Sequence, residues 1–219
     1  VNANGESAAS AQASATPAAP VAGWSSGVRV SDARDFFYYS AIWPGDVDIN
    51  DAGTAVALWA EEGSEFWLYA NAYRNGAWGT PAQIGTKGSL APSVSVTPAG
   101  NAIAVYQQRL YDSGGIWINT EIHSRRYDHT AGTWTAAEQI SIDSATWAYD
   151  PSVAADSSGN AMAVWQHEGE VWARRYDVTL GWEVSPTQLS NSPRGVFTPK
   201  IVVDGNDVFT VVWIEDSDP

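Results

Sequence analysis

Four segments of this chain are versions of one another, and that repetition limits the folds open to it. They read PGDVDINDAGTAVALW (44–59), PSVSVTPAGNAIAVY (92–106), PSVAADSSGNAMAVW (151–165) and PKIVVDGNDVFTVVW (199–213). Their prolines fall at 44, 92, 151 and 199, in steps of 48, 59 and 48. Two further elements follow in fixed order. The first is LYANAY (68–73), IHSRRY (122–127) and VWARRY (171–176); the second is GAWGTPAQI (76–84), GTWTAAEQI (132–140) and GWEVSPTQL (181–189). The second also precedes the first unit, as GWSSGVRV (23–30). A period in this range marks stacked units that share one continuous core.

Each element reads as a strand. Val94 and Val96, then Ile103 and Val105, alternate with small or polar residues, the period of a half-buried strand. Between them lie Thr97-Pro98-Ala99-Gly100-Asn101 and, in the next unit, Asp156-Ser157-Ser158-Gly159-Asn160. Glycine there supplies positive φ, and Asp or Asn caps the turn. The unit is four antiparallel strands, A to D, in about 48 residues, which is a β-propeller blade. Nothing between strands has the 10–15-residue helical period of an α/β fold. The predicted fold is an all-β propeller with about four blades: a lone outer strand at 23–30 and units starting near 44, 92, 151 and 199. The last unit holds only A and B. The ring is either four-bladed with one incomplete blade or part of a larger ring completed by more chain or by association.

Composition removes several function classes. Lys plus Arg is 11 against 25 Asp plus Glu, a formal charge of −14. Binding held by phosphate neutralisation needs clustered positive charge, so no nucleic-acid partner is expected. Cysteine is absent, which excludes disulfides and thiolate chemistry. No stretch reads as a membrane span. Residues 1–22, rich in Ala, Ser and Pro, are expected to form a flexible leader, with the propeller over 23–219.

The motif carried by Asp156 to Gln166, Arg175-Tyr176, Gly181-Trp182 and Gln188-Leu189-Ser190 resembles a family of secreted bacterial propeller repeats. That family is similar in layout to sialidase-type and lectin-type propellers. The resemblance spans 23–215 and implies a fold and an extracellular, cell-surface or periplasmic location. It carries over no catalytic residue.

Sialidase chemistry would need an arginine cluster, a Tyr paired with a Glu, and an Asp acid. Arg125-Arg126 and Arg174-Arg175 occupy equivalent repeat positions, as packing residues do. The sequence Asp112-Ser113-Gly114-Gly115-Ile116-Trp117 only loosely echoes the sialidase Asp-box. No enzymatic activity is therefore expected. His123, His129 and His167 lack a zinc spacing. Asp46, Asp48 and Asp51 are candidate ligands for a structural calcium, but they lack the twelve-residue calcium-loop pattern and also match turn-capping positions. No cofactor is expected.

The D-to-A connections are unusually aromatic: Phe36, Phe37, Tyr38, Tyr39 and Trp43, then Trp147 and Tyr149, then Phe197. The B-to-C connections on the same face carry Glu61, Gln107, Arg109, Tyr111, Gln166 and His167, among others. Aromatic faces stack on sugars while amides and carboxylates bind hydroxyls. The competing reading is that these aromatics plug the ring. The expected ligand-binding residues are Trp43, Trp147, Tyr149, Phe197, Glu61, Gln107, Gln166 and His167. The expected function is non-catalytic recognition of a glycan or a protein. The alternative is a structural subunit of an extracellular complex or filament, with these loops as subunit contacts.

Overall fold

The computed structural model describes Val30 and residues 42–62, 65–142 and 146–216. The predicted leader (1–22), nearly all of the lone outer strand (23–30) and the aromatic run Phe36–Tyr39 lie outside these residues. Within them the chain is an all-β propeller without helix.

The first blade is β1 (Ile42–Ile49), β2 (Ala55–Glu62), β3 (Phe66–Arg74), β4 (Ala77–Trp78) and β5 (Ala82–Gln83). The second is β6 (Ser89–Val96), β7 (Ala102–Tyr111), β8 (Trp117–Asp128), β9 (Thr133–Trp134) and β10 (Glu138–Gln139). The third is β11 (Ala148–Ala155), β12 (Ala161–His167), β13 (Glu170–Asp177), β14 (Gly181–Trp182) and β15 (Thr187–Gln188). The fourth is β16 (Val196–Val203) and β17 (Phe209–Glu215) alone. All pairings are antiparallel, and strands A, B and C of each complete blade pair in sequence order.

The A-to-B turns form as their residues dictate. In the third blade the Asp156 carboxylate accepts from the backbone N–H of Ser158 and Asn160, and Gly159 takes φ 89°. In the fourth the glycine is displaced, and Asp207 adopts the left-handed conformation instead, at φ 61°. Strand D is not one strand. In each complete blade it is two short pieces, both paired to strand C. Pro81 and Pro186 stand between the pieces in the first and third blades; proline has no N–H to give a ladder.

Strand A carries a bulge in every blade, between Trp43 and Asp46, Leu90 and Ser93, Tyr149 and Ser152, and Phe197 and Lys200. Ala91, Asp150 and Thr198, each just before a proline, sit there at φ 47°, 51° and 46°. Such positions cost about 1–3 kcal/mol and persist only where the surroundings over-determine them. A bulge re-aims the residues before it, here the aromatic ends of strand A.

Adjacent blades pack face to face. Val56, Leu58 and Leu68 meet Val94, Ala104 and Tyr106 between the first two. Ile103, Val105 and Ile122 meet Val153, Ala163 and Trp165 between the second and third. The innermost A strands are stitched together by short side chains. The Asp46 and Asp48 carboxylates accept from Val94 N at 2.9 Å and Val96 N at 2.7 Å. Ser93 and Ser152 do the same for Val153 N and Ile201 N. These four strands line an axial groove of about 500 Å³.

The fourth blade turns an open face away from the third. Val212 is 60% exposed, whereas its counterparts Val164 and Val105 are fully buried. Packing of β16–β17 against the first blade would bury Val202, Val212 and Ile214, so among the described residues the four blades do not close on that side. Val30, the last residue of the lone outer strand, accepts from Asn71 Nδ2 at 2.9 Å. Ile140 accepts from Arg174, the counterpart of Asn71, in the same way at 3.1 Å. Val30 O therefore takes the place against the first blade that Ile140 O takes against the third.

Candidate functional site

The second blade has the long repeat step, and its extra length lies partly in one hairpin. β7 and β8 are 10 and 12 residues long and extend past their counterparts in the third blade, of 7 and 8. Asp112 locks the tip by accepting from Gly114 N and Ile116 N. The extension raises Arg109, Tyr111 and Trp117. Gly88 then ties it to the first blade, donating to Phe66 O at 2.8 Å and accepting from Arg109 N at 2.9 Å. A Cβ on Gly88, which holds φ 85°, would lie 2.8 Å from both Arg109 Cβ and Tyr111 Cε2. Only glycine permits this approach.

The result is a polar cluster built from two blades. The Tyr111 hydroxyl donates to Glu65 Oε2 at 2.7 Å. Lys87 Nζ lies 3.0 Å from Glu65 Oε1 and 4.3 Å from the Tyr111 ring centroid. The hydrogen bond from Tyr111 and the charges of Lys87 and Arg109 hold the Glu65 carboxyl below its ordinary value, against burial, which pushes it up. Burial and the Glu65 partner push the Tyr111 phenol up. At neutral pH the shared proton therefore resides on Tyr111, and Glu65 is the anion. Arg109 stands over the Trp117 ring at 4.3 Å and over Phe66 at 5.0 Å. Its Nε has no hydrogen-bond partner among the described residues.

An aromatic wall continues from there. Trp147 meets Trp117 with ring centroids 4.3 Å apart, and Tyr149 lies 6.0 Å from Trp147. The Trp117 indole N–H is spent on Asn119 O at 2.8 Å, which fixes the ring. All three are half-buried and keep surface exposed. Burial pushes the Tyr149 phenol up.

The expected ligand residues divide. Trp147 and Tyr149 belong to this wall, and Gln166 pairs with Tyr149 across the β11–β12 ladder. Gln107 is buried, and its side chain accepts from Asp150 N at 3.2 Å, bracing the bulge below Tyr149. Glu61 is buried and accepts from the Trp59 indole N–H at 2.9 Å. His167 is buried beside Thr146, 3.2 Å away. Gln107 and His167 brace loops, and Glu61 binds within its own strand. Phe197 is exposed but stands on the fourth blade. The side chain of Trp43 lies outside the described residues.

Asp46 and Asp48, the calcium candidates, are engaged with the backbone. Both oxygens of each carboxylate accept backbone N–H bonds. Among the described residues no group of three His, Cys, Asp or Glu could hold a metal, and Asp51 joins none. Glu65, Lys87 and Trp117 were not among the expected ligand residues. The signal was the 59-residue step, which marks the blade whose hairpin departs from the repeat.

No protein-family model and no curated protein matches the sequence. The fold is similar to that of an α-L-arabinanase of Penicillium chrysogenum solved with arabinobiose, at TM-score 0.53 and 13% identity. It is also similar to the GH93 α-L-arabinofuranosidase of Fusarium graminearum with arabinobiose, at TM-score 0.54 and 12% identity. Each match covers 81% of this chain and 58% of the other, so the chain spans less than two thirds of either enzyme. At these identities the likeness establishes the propeller fold. It also corrects the expectation of a non-catalytic recognition module without enzymatic activity, because these structural relatives are glycan-processing enzymes. Tyr111 and Glu65 form a hydrogen-bonded Tyr–Glu pair that the sequence analysis did not identify.

Proposed function

We propose that this propeller processes glycans at the face where Glu65, Lys87, Arg109 and Tyr111 meet the Trp117–Trp147–Tyr149 wall. The observation that carries the reading is the 2.7 Å hydrogen bond from Tyr111 to Glu65, with Lys87 3.0 Å from the same carboxylate. In tyrosine-based glycosidases the phenol oxygen attacks the anomeric carbon as the glycosidic C–O bond breaks, a partner carboxylate takes the phenol proton, and the departing sugar oxygen is protonated by an acid or by water. Glu65, ionised and already accepting that proton, is placed for the task. Lys87 and Arg109 supply fixed positive charge beside a nucleophile that gains negative character. The half-buried indoles offer apolar faces on which sugar C–H groups stack. The arabinobiose in the two similar enzymes is consistent with glycan as the substrate class.

The test is release of reducing ends from a panel of neutral and acidic polysaccharides. Tyr111→Phe is expected to lower turnover by about 10²-fold or more, the usual worth of a proton-transfer group, at an unchanged melting temperature. Glu65→Gln should act alike. Release of no reducing ends from any member of the panel, or full activity in Tyr111→Phe, overturns the proposal.

A further inference from the structure

Resting on that reading, we infer that the glycan is anionic, and that Arg109 binds a carboxylate or sulfate carried by a sugar ring next to the Tyr111–Glu65 pair. The chain carries a formal charge of −14, so a cation set between aromatic rings beside the reacting pair stands out. Lys87 has such a partner in Glu65, and Arg126 has one in Glu138. Arg74 and Arg174 donate to backbone carbonyls. Arg109, like Arg125, Arg175 and Lys200, forms no ion pair among the described residues, but it lies between two aromatic rings next to the Tyr111–Glu65 pair. It is held over two ring faces, with its Nε shielded from water and unpartnered.

Stacking fixes the plane of a guanidinium and leaves its N–H donors along the edge, a geometry that matches the two oxygens of a carboxylate or sulfate. Rings around it also limit competition from water, which strengthens a charged contact. The charge reaches the surrounding groups: it opposes the rise of the Tyr111 and Tyr149 phenols and favours the Glu65 anion. An anionic sugar seated on Arg109 would thus lie within the field of the reacting pair. Lys87, 43% exposed at its side chain, adds a second cation at the rim. The acidic remainder of the surface repels polyanions, so this spot sets where such a chain can settle.

The test is titration calorimetry of the intact chain with four polymers: polygalacturonate, dextran sulfate, neutral dextran and neutral arabinan. At least one anionic polymer should bind tenfold or more tightly than both neutral ones at low salt, and lose that advantage as salt rises. The preferred member of the anionic pair tells carboxylate from sulfate. Arg109→Gln should cut the anionic preference tenfold or more, weakening anionic polymers more than neutral ones. Arg109→Lys, which keeps the stem and charge, should retain part of it and guards against a folding defect in the first variant. Equal binding of neutral and anionic polymers, or an unchanged preference in folded Arg109→Gln, overturns the inference. Cleavage of neutral arabinan without anionic preference would overturn it alone and leave glycan processing standing; no binding and no cleavage of any polymer would overturn both.

Discussion

Trp147 packs against Trp117 with ring centroids 4.3 Å apart and planes tilted by 48°, although one precedes the third blade and the other starts strand C of the second. The contact joins the aromatic connection to the hairpin that carries Arg109 and Tyr111. Trp147→Ala removes one face of the wall and frees Trp117 to turn. Aromatic pairs are worth about 0.5–1.5 kcal/mol beyond area, and the indole remains half-exposed. Glycan binding is expected to fall at least tenfold while the melting temperature drops by only a few degrees. Calorimetric titration and a thermal scan on the same sample read both. Unaltered binding would remove Trp147 from the site.

The His167 imidazole makes stability depend on pH. Burial holds its pKa below the ordinary 6.5, opposed by the nearby Glu168 charge. The folded chain thus binds fewer protons here than the unfolded chain. The stabilisation is complete above the unfolded value and is lost as pH falls through the lower folded one. Urea midpoints should therefore decline below about pH 6.5, and the decline should be shallower in His167→Gln. An identical pH profile in the two proteins would show that His167 is not the titrating group.

Fold and site were legible to different degrees, for a physical reason. The repeat discloses whatever recurs: the A-to-B hairpins, the strand-C tyrosines, and the Trp78, Trp134 and Trp182 rings that pack edge-on or tilted against Tyr73, Tyr127 and Tyr176 at 5.5, 5.3 and 5.3 Å. The strand-A bulges recur too, but nothing in Ala91-Pro92 or Asp150-Pro151 announces a left-handed residue, because positive φ before proline is set by the surrounding blade. The site is what does not recur. Trp147 and Tyr149 stood out as aromatic loop residues. Glu65 and Tyr111 stand far apart in sequence, in different blades, and only the Gly88 crossing brings them together. Arg109 in sequence is one arginine among nine; its stacking on Phe66 and Trp117 exists only in three dimensions.

Trp165 tests the core. It is fully buried between the second and third blades, amid Ile103, Val105, Ile122 and Val153. Trp165→Ala should cost about 3–5 kcal/mol, the range for emptying a buried aromatic site. A chemical denaturation curve measures it, and a loss under about 1 kcal/mol would show that the blades repack around the gap.

The last prediction concerns the open side of the fourth blade. Val212 and Val164 hold the same place in strand B of successive blades, yet one is 60% exposed and the other 0%. Val164 packs with Val171 of its own blade and meets Val196 and Ile201 across the blade interface. A lysine there would bury an unpaired charge, so Val164→Lys should cost about 4 kcal/mol or more. Val212→Lys places the same charge in water and should shift stability by no more than about 0.5 kcal/mol. Paired denaturation curves of the two variants decide whether this face is open in solution. If Val212→Lys is as damaging as Val164→Lys, something covers the face there, and β16–β17 is as much an interior blade as the three before it. If it is neutral, the apolar row of Val202, Val212 and Ile214 faces solvent, and its burial is left to whatever packs where the next blade would stand.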